Sequence, residues 1–278
     1  MRDFLLDRLA DHAPVDAMLA AGRFVGGHGT AFSGTEPYAP HTFVWFHRDL
    51  RPEPEVPFPV RVIHQDERIV VVDKPHFLST IPRGRHVTQS VVVRMRAALG
   101  LPELSPAHRL DRLTAGVLLL TTQRRWRAAY QQVFEYRLAH KTYTALARHR
   151  PGLTLPTVVS DHLRKRRGVW QAEVVPGEPV NAETLVELDE VRGGWARYRL
   201  TPATGRTHQL RVHLNGLGIP ILGDPLYPEV LDVDVDDFST PLELVARTLR
   251  FPDPITGEER SFTSRIEHVW PQGTPVAD

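Results

Sequence analysis

The sequence predicts an α+β fold with a largely antiparallel sheet, and three features of the 278-residue chain carry that prediction. Strand-like and helix-like runs are both present but do not alternate regularly, which argues against a doubly wound parallel sheet. Neighbouring strand-like runs are joined by short polar or glycine turns, as in hairpins. Apolar residues make up 41% of the chain, enough for a sizeable core, and the charged fraction of 24% is ordinary for a globular protein.

The first fifty residues read as a small N-terminal module. They hold a helical stretch over Pro14–Ala21, then Gly- and Thr-rich turns, then "HTFVWFHRD", which alternates like a strand. Residues 51–59, "RPEPEVPFP", form a linker, because four prolines in nine residues suit neither a helix nor a central strand. Past the linker, Val60–Ile63 and Ile69–Val72 read as strands, the second halted by Pro75. Ser90 can cap a helix that runs to Leu99, with Gly100 beyond its end. "AGVLLLTT" has the length and continuity of a buried strand. Thr122 then caps a helix to about Glu135, with Ala128, Ala129, Val133 and Phe134 available for burial. Lys141–Ala147 alternates as a strand. Ala182–Glu190 and Ala196–Thr201 form a hairpin around Gly193–Gly194. Leu210, Leu214 and Leu217 recur at helical spacing, and Gly218 suits the stop.

Cysteine is absent, which excludes disulfides, thiolate zinc sites, iron–sulfur clusters and a cysteine nucleophile. No apolar run approaches the roughly 18–20 residues needed to span a bilayer. The N-terminus, "MRDFLLDRLADHAP", carries acids inside its apolar stretch and lacks a signal-peptide core. The expectation is a soluble, cytoplasmic monomer. A net charge of +1 hides segregation. Basic clusters occur at Arg124, Arg125 and Arg127, at Arg164–Arg167, and around Arg83, Arg85 and His86. Acid gathers in "DVDVDD", Asp232–Asp237. Each basic cluster is either a phosphate-binding surface or a solvated face.

The chemistry centres on "SPAHRLDRLTAGVLLLTT", Ser105–Thr122, where Asp111 stands between two arginines just before the buried strand. A carboxylate at the edge of a core is costly unless paired or hydrogen-bonded. Arg109 and Arg112 flank it, but neighbours in an extended chain point to opposite sides, so at least one aims elsewhere. Arg211 lies on a helix whose apolar face pins its direction, and it is the candidate partner. An Asp111–Arg211 pair would hold the carboxyl ionised. The plainer alternative is an ion pair that only supports structure. His208 and His213 are poorly spaced for one helical face, and no H-E-x-x-H is present, which argues against zinc hydrolysis. His208 is expected to make a structural hydrogen bond near the site.

"HRLDRLTAGVLLL" resembles the catalytic motif of the RluA-type pseudouridine synthases, His-Arg-Leu-Asp, two variable residues, then Thr-Ser-Gly and an aliphatic run. "VVDKPHFLSTIPRG" is similar to that family's Asp-Lys-Pro stretch at Asp73, Lys74 and Pro75. "KTYTALA" resembles its Lys-x-Tyr-x-Ala strand, placing Tyr143. "TGRTHQLRVHL" places Arg211, and "IPILGDPLY" matches a Gly-Asp-x-x-Tyr segment at Gly223, Asp224 and Tyr227. The resemblance spans about Val60–Phe262. Ala115 stands where the family usually has Ser, and Val245 replaces a common His. The first fifty residues do not match the RNA-binding module of some members, so they would be a degenerate form of such an appendage.

The resemblance implies a pseudouridine synthase catalytic domain over residues 60–270, with an active-site cleft flanked by helices and loops. It implies isomerisation of uridine to pseudouridine in structured RNA, ribosomal or transfer, with no cofactor, no metal and no membrane. Asp111 would be the nucleophile, attacking carbon 6 of the uracil or carbon 1′ of the ribose. Arg211 would pair with it. Tyr143 would stack on the base, and its hydroxyl could help remove the carbon 5 proton. Substrate contacts would come from His108, Arg109, Arg206, His208, Arg83 and Lys141. Two other readings remain at this point: a catalytically silent RNA-binding protein, and a hydrolase using Asp111 with His108.

Overall fold

The computed structural model describes residues 1–9, 13–46, 52–82 and 86–272. It divides into two compact units, Met1–Pro52 and Glu53–Asp278. Among the described residues, no helix is long and apolar enough to cross a membrane.

The first unit contains α1 (Arg2–Leu9), α2 (Val15–Ala20) and a short antiparallel pair, β1 (Phe24–Val25) with β2 (Trp45–Phe46). Leu5, Val15, Met18, Leu19 and Phe24 form its core. Helix α1 was not legible in the sequence; its acids Asp3 and Asp7 are exposed, while Leu5 is buried. Within the described part of "HTFVWFHRD" the strand covers Trp45–Phe46, and residues 47–49 of that run lie outside the described residues.

The second unit runs β3 (Arg61–Gln65), β4 (Ile69–Lys74), α3 (Val91–Leu99), β5 (Ser105–Pro106), β6 (Ala115–Thr121), α4 (Arg124–Glu135), β7 (His140–Arg148), β8 (Thr157–Asp161), β9 (Leu163–Arg164), β10 (Glu173–Val174), β11 (Ala182–Arg192), β12 (Trp195–Pro202), α5 (Gln209–Gly216), β13 (Leu244–Pro252) and β14 (Glu259–Thr263). Its main sheet has the order β3-β4-β6-β13-β7-β12-β11-β8, with β5 beside β6 and β14 beside β13. Among the described residues, every pairing in this sheet is antiparallel except β6 with β13. The fold is therefore α+β with a mixed, mostly antiparallel sheet, as the irregular alternation predicts.

The apolar runs of β4 and β6 are continuous because both faces of these strands are covered. Alternation sends Val70, Val72, Leu118 and Leu120 into one core, and Ile69, Val71, Val117 and Leu119 into the other. Each such side chain contributes about 1.5–3 kcal/mol by leaving water. Helix α4 covers the second core with part of the face its sequence suggested, since Val133 is buried and Phe134 packs against that core. Tyr130 and Val133 are its buried residues, and Ala128 is exposed. Its N-cap is Gln123 rather than Thr122, whose hydroxyl donates instead to the Glu67 carbonyl at 2.5 Å. Ser90 does sit at the N-cap of α3, yet its hydroxyl donates to the Val87 carbonyl and not to the helix. Gly100 ends α3 in the left-handed conformation, φ 64°.

Strand β13 joins the two halves of the sheet and positions the chemistry. It meets β6 through the residue pairs Val245–Ala115 and Ala246–Gly116. Gly116 has φ 112°, and a Cβ there would overlap the backbone of Ala246, so only glycine permits this approach. On its other side Ala246 is in register with Tyr143 of β7. Gly116, Ala246 and Tyr143 thus form one row across three strands, immediately beyond the loop that carries Asp111.

Candidate active site

Asp111 is half-buried in the loop between β5 and β6. That loop is tied down at Leu110, Arg112 and Leu113 by the end of β4 and the segment after it. The Thr80 hydroxyl donates to the Leu110 carbonyl (2.8 Å) and accepts from its N–H (3.1 Å). Lys74 Nζ donates to the Arg112 carbonyl (3.1 Å), and His76 Nδ1 donates to that of Leu113 (3.0 Å). The Lys74 ammonium also donates to the carbonyls of Pro75 (3.0 Å) and Leu78 (2.7 Å), so its three protons are all used. It is fully buried, and burial pushes its pKa down to about 7 against the opposing pull of the Asp111 charge. Three carbonyl acceptors suit the charged form, since a neutral amine would turn a lone pair towards one of them. The Asp-Lys-Pro stretch was recognisable in the sequence, but this scaffolding role of its lysine was not.

Of the flanking arginines, Arg112 turns away from Asp111 to backbone carbonyls. Arg109 is exposed, and Arg112 donates to the carbonyls of Val235 (3.2 Å) and Phe77 (3.4 Å). The expected Asp111–Arg211 pair is not formed. Arg211 is buried on α5 and directs Nε (2.7 Å) and Nη2 (2.5 Å) to the two carboxylate oxygens of Asp224. The reason is the turn after Ile221. Gly223, at φ 74°, brings Asp224 under α5, where the planar guanidinium fork meets a carboxylate already accepting from the Leu226 N–H (2.8 Å). Arg211 also lies over the Tyr227 ring, 5.2 Å from its centre. His208 Nδ1 hydrogen-bonds with the Tyr227 hydroxyl at 3.0 Å, and that hydroxyl accepts from the Ala172 N–H (2.7 Å).

Two cavities meet at Asp111. The larger, about 1610 Å³, is lined by Asp111, His208, Arg211, Asp224 and Tyr227. The smaller, about 480 Å³, is lined by Asp111, His108, Lys141, Tyr143 and Arg206. Arg109, Leu110, Thr207 and His208 border both. The carboxylate therefore has Arg211 on one flank and Tyr143 on the other. Burial, and then the Asp111 charge, raise the Tyr143 pKa, so its phenol is neutral at neutral pH. Burial lowers the pKa of Lys141, with Arg137 adding to the effect. Arg206 is exposed, with Nε donating to the Asn181 carbonyl (3.3 Å). His108 Nε2 accepts from the Leu119 N–H (3.1 Å), and its ring stacks on Phe134 at 4.3 Å. That bond engages Nε2 as an acceptor and makes His108 a support of the loop. Arg83 lies outside the described residues. Asp224 and Tyr227 stood in the sequence motif without a role; their spacing from Gly223 was the available signal.

Four histidines around this region share one perturbation. Burial lowers the pKa of His76, His213, His208 (to about 4) and His108 (to about 3). In the unfolded chain each would titrate near 6.5. Between those values the unfolded state binds more protons, so stability rises with pH and is lost as pH falls from about 6.5 towards 4. Denaturant midpoints measured across this window should drop steadily, and a flat profile would contradict the neutral, buried histidines. His108→Gln, which keeps an acceptor without a titrating ring, should shallow the slope.

Residues 68–216 match the RNA pseudouridylate synthase family model. The chain is 34% identical over 201 residues to the dual-specificity RNA pseudouridine synthase RluA of Vibrio vulnificus, covering 69% of this chain and 78% of that one. It is 32% identical over 216 residues to the corresponding protein of Salmonella typhi, covering 75% and 94%. Among solved structures, human RNA Pseudouridylate Synthase Domain Containing 4 superposes with a TM-score of 0.57 at 28% identity, covering 74% of this chain and 88% of that one. Motif order, sheet topology and these likenesses agree: the chain belongs to the RluA-type RNA pseudouridine synthases, the enzymes that isomerise uridine within RNA.

Proposed function

We propose that Asp111 is the nucleophile of this isomerisation and that the substrate is a uridine everted from structured transfer or ribosomal RNA. The observation that carries the reading is the position of Asp111 at the junction of two cavities, half-open, on a loop fixed at Leu110, Arg112 and Leu113. A carboxylate there can add to carbon 6 of the uracil or carbon 1′ of the ribose and later leave. The bond from carbon 1′ to nitrogen 1 breaks, the freed base turns, and a bond from carbon 1′ to carbon 5 forms. The carbon 5 proton is released and nitrogen 1 gains one, so no atom or electron is needed from outside. Base eversion costs a few kcal/mol, which cationic contacts to phosphate offset.

Arg211 serves this reading as a fixed cation beside the nucleophile, held in place by Asp224. Tyr143 serves it as the ring on which the base stacks. Because its phenol is neutral, a part in proton removal requires it to pass its own proton on as it receives the one from carbon 5. Arg109, Arg206, His208 and Lys141 border the cavities and supply contacts to RNA. The dual-specificity names of the bacterial relatives support more than one RNA as substrate. The test is tritium release from cellular RNA labelled at uracil carbon 5. Wild type should release label, and Asp111→Asn should reduce release by at least about four orders of magnitude. RNA bound with comparable affinity but no release by the wild type would mark a catalytically silent binder instead.

A further inference from the structure

Part of the lining of the larger cavity is a loop between β9 and β10 that carries an exposed indole. Trp170 is 72% exposed, an unusual position for a large apolar ring, and Val169 beside it is 49% exposed. The same loop carries Lys165, Arg166 and Arg167 along the cavity. Arg164 and Arg166 share Glu173 through their Nε atoms, at 3.1 and 2.8 Å. Among the described residues neither Lys165 nor Arg167 meets a carboxylate; the Lys165 ammonium donates to the Val169 carbonyl within the loop, and both keep a net positive charge for phosphate.

The indole is tied to the site. One residue on, the Gln171 side chain donates to the Leu226 carbonyl; two residues on, Ala172 exchanges hydrogen bonds with the Tyr227 hydroxyl (2.7 and 3.2 Å). Tyr227 in turn lies under Arg211. Trp170 is therefore indexed to the Arg211–Asp224 pair through a short chain of bonds. The lining of the same cavity also includes Asp232, Asp234 and Asp237. Phosphates are drawn to the basic part of this lining and repelled by the acidic part. At about 1610 Å³ the cavity exceeds the 300–1,000 Å³ of small-molecule pockets, leaving room for more than one nucleotide.

We infer that Trp170 is a stacking platform for a second, unpaired base next to the everted uridine, with Lys165 and Arg167 holding the intervening phosphates. This rests on the reading that the cavity takes RNA, and it adds a position that reads base planarity rather than base identity. It is a substrate-positioning residue, remote from the reacting atoms, and its removal should raise KM while leaving kcat unchanged.

The full chain titrated with a single-stranded oligouridylate tests this, with intrinsic tryptophan fluorescence and filter binding as readouts. Trp170→Ala should weaken binding about five- to one-hundred-fold with an unchanged salt slope, the range expected for one lost base stack. Trp170→Phe should recover most of the affinity. Lys165→Ala with Arg167→Ala should instead flatten the slope by about 0.7 for each phosphate no longer neutralised. Being exposed, Trp170 can be replaced without unfolding, which a thermal melt checks. Wild-type affinity in Trp170→Ala, a weakening that moves the salt slope, or no binding of the oligouridylate by the wild type would each overturn the inference. Tritium release by the wild type in the same preparation separates failure of the platform from failure of the enzymatic reading.

Discussion

Asp224→Ala is expected to destabilise the catalytic unit by about 3–5 kcal/mol, because it leaves the buried Arg211 guanidinium without its counter-charge. The same change strips an acceptor from the Leu226 N–H, so the turn that carries Tyr227 loosens as well. In a unit of this size the loss lowers the melting temperature by roughly 2–4 °C for each kcal/mol. The double variant Arg211→Met with Asp224→Leu removes both charges and keeps apolar volume. It should recover most of the stability while remaining inactive in tritium release, since the cation beside Asp111 is gone. Melting curves and the release assay on wild type, Asp224→Ala and the double variant decide the matter. A melt for Asp224→Ala equal to wild type would show that the pair does not hold this wall, and recovery of turnover in the double variant would remove Arg211 from the chemistry.

Lys74→Met should have an effect of similar size by a different route. Methionine has a comparable length but no protons to donate, so the carbonyls of Pro75, Leu78 and Arg112 all lose a donor. A stranded buried acceptor costs about 1–3 kcal/mol, which puts the total at about 3 kcal/mol or more. Turnover should fall further than stability alone explains, because the Arg112 carbonyl is one residue from Asp111, the proposed nucleophile. Measured well below the melting temperature, kcat should drop with little change in KM. Thr80→Val, which frees only the Leu110 backbone, should reproduce the kinetic loss with a smaller shift in melting. An unaltered kcat in both variants would mean that the loop holds Asp111 without help from the segment after β4.

The strands that form the centre of the sheet were legible because their apolar runs are unambiguous. "IVVV" and "VLLL" can be buried on both faces and nowhere else. Helix α3 was legible from Ser90 and Gly100 at its two ends, and helix α5 from leucine spacing and Gly218. Helix α4 was legible in place and in part of its buried face, Val133 and Phe134, but not in Tyr130, which is buried with its hydroxyl bonded to Asp253, a residue distant in sequence. Helix α1 escaped because its short amphipathic pattern is weak. Strands β13 and β14 escaped as well; pairing partners far along the chain decide such elements, and local pattern does not.

The site was legible in its members and not in its pairings. Asp111, Tyr143 and Arg211 stand around one junction. The partner of Arg211 could not be read, because proximity between Asp224 and α5 depends on the turn at Gly223. Lys74 stood out with its neighbours, yet nothing in the spelling of Asp-Lys-Pro says that an ammonium group will be sunk beneath a loop lying well downstream. Position along the sequence identified the pieces; only tertiary contact assigned their partners.

The insertion of β13 between β6 and β7 bears on how the molecule is made. Strands β3, β4 and β6 can associate early, as can β7, β12, β11 and β8, but the two halves remain unjoined until the segment over 244–252 has been synthesised and threaded into the gap. Until then β6 and β7 each present an open edge. Folding should accordingly be limited by this late, long-range docking. A nascent chain stalled before that segment should be captured by chaperones and should be inert, however complete its catalytic side chains already are.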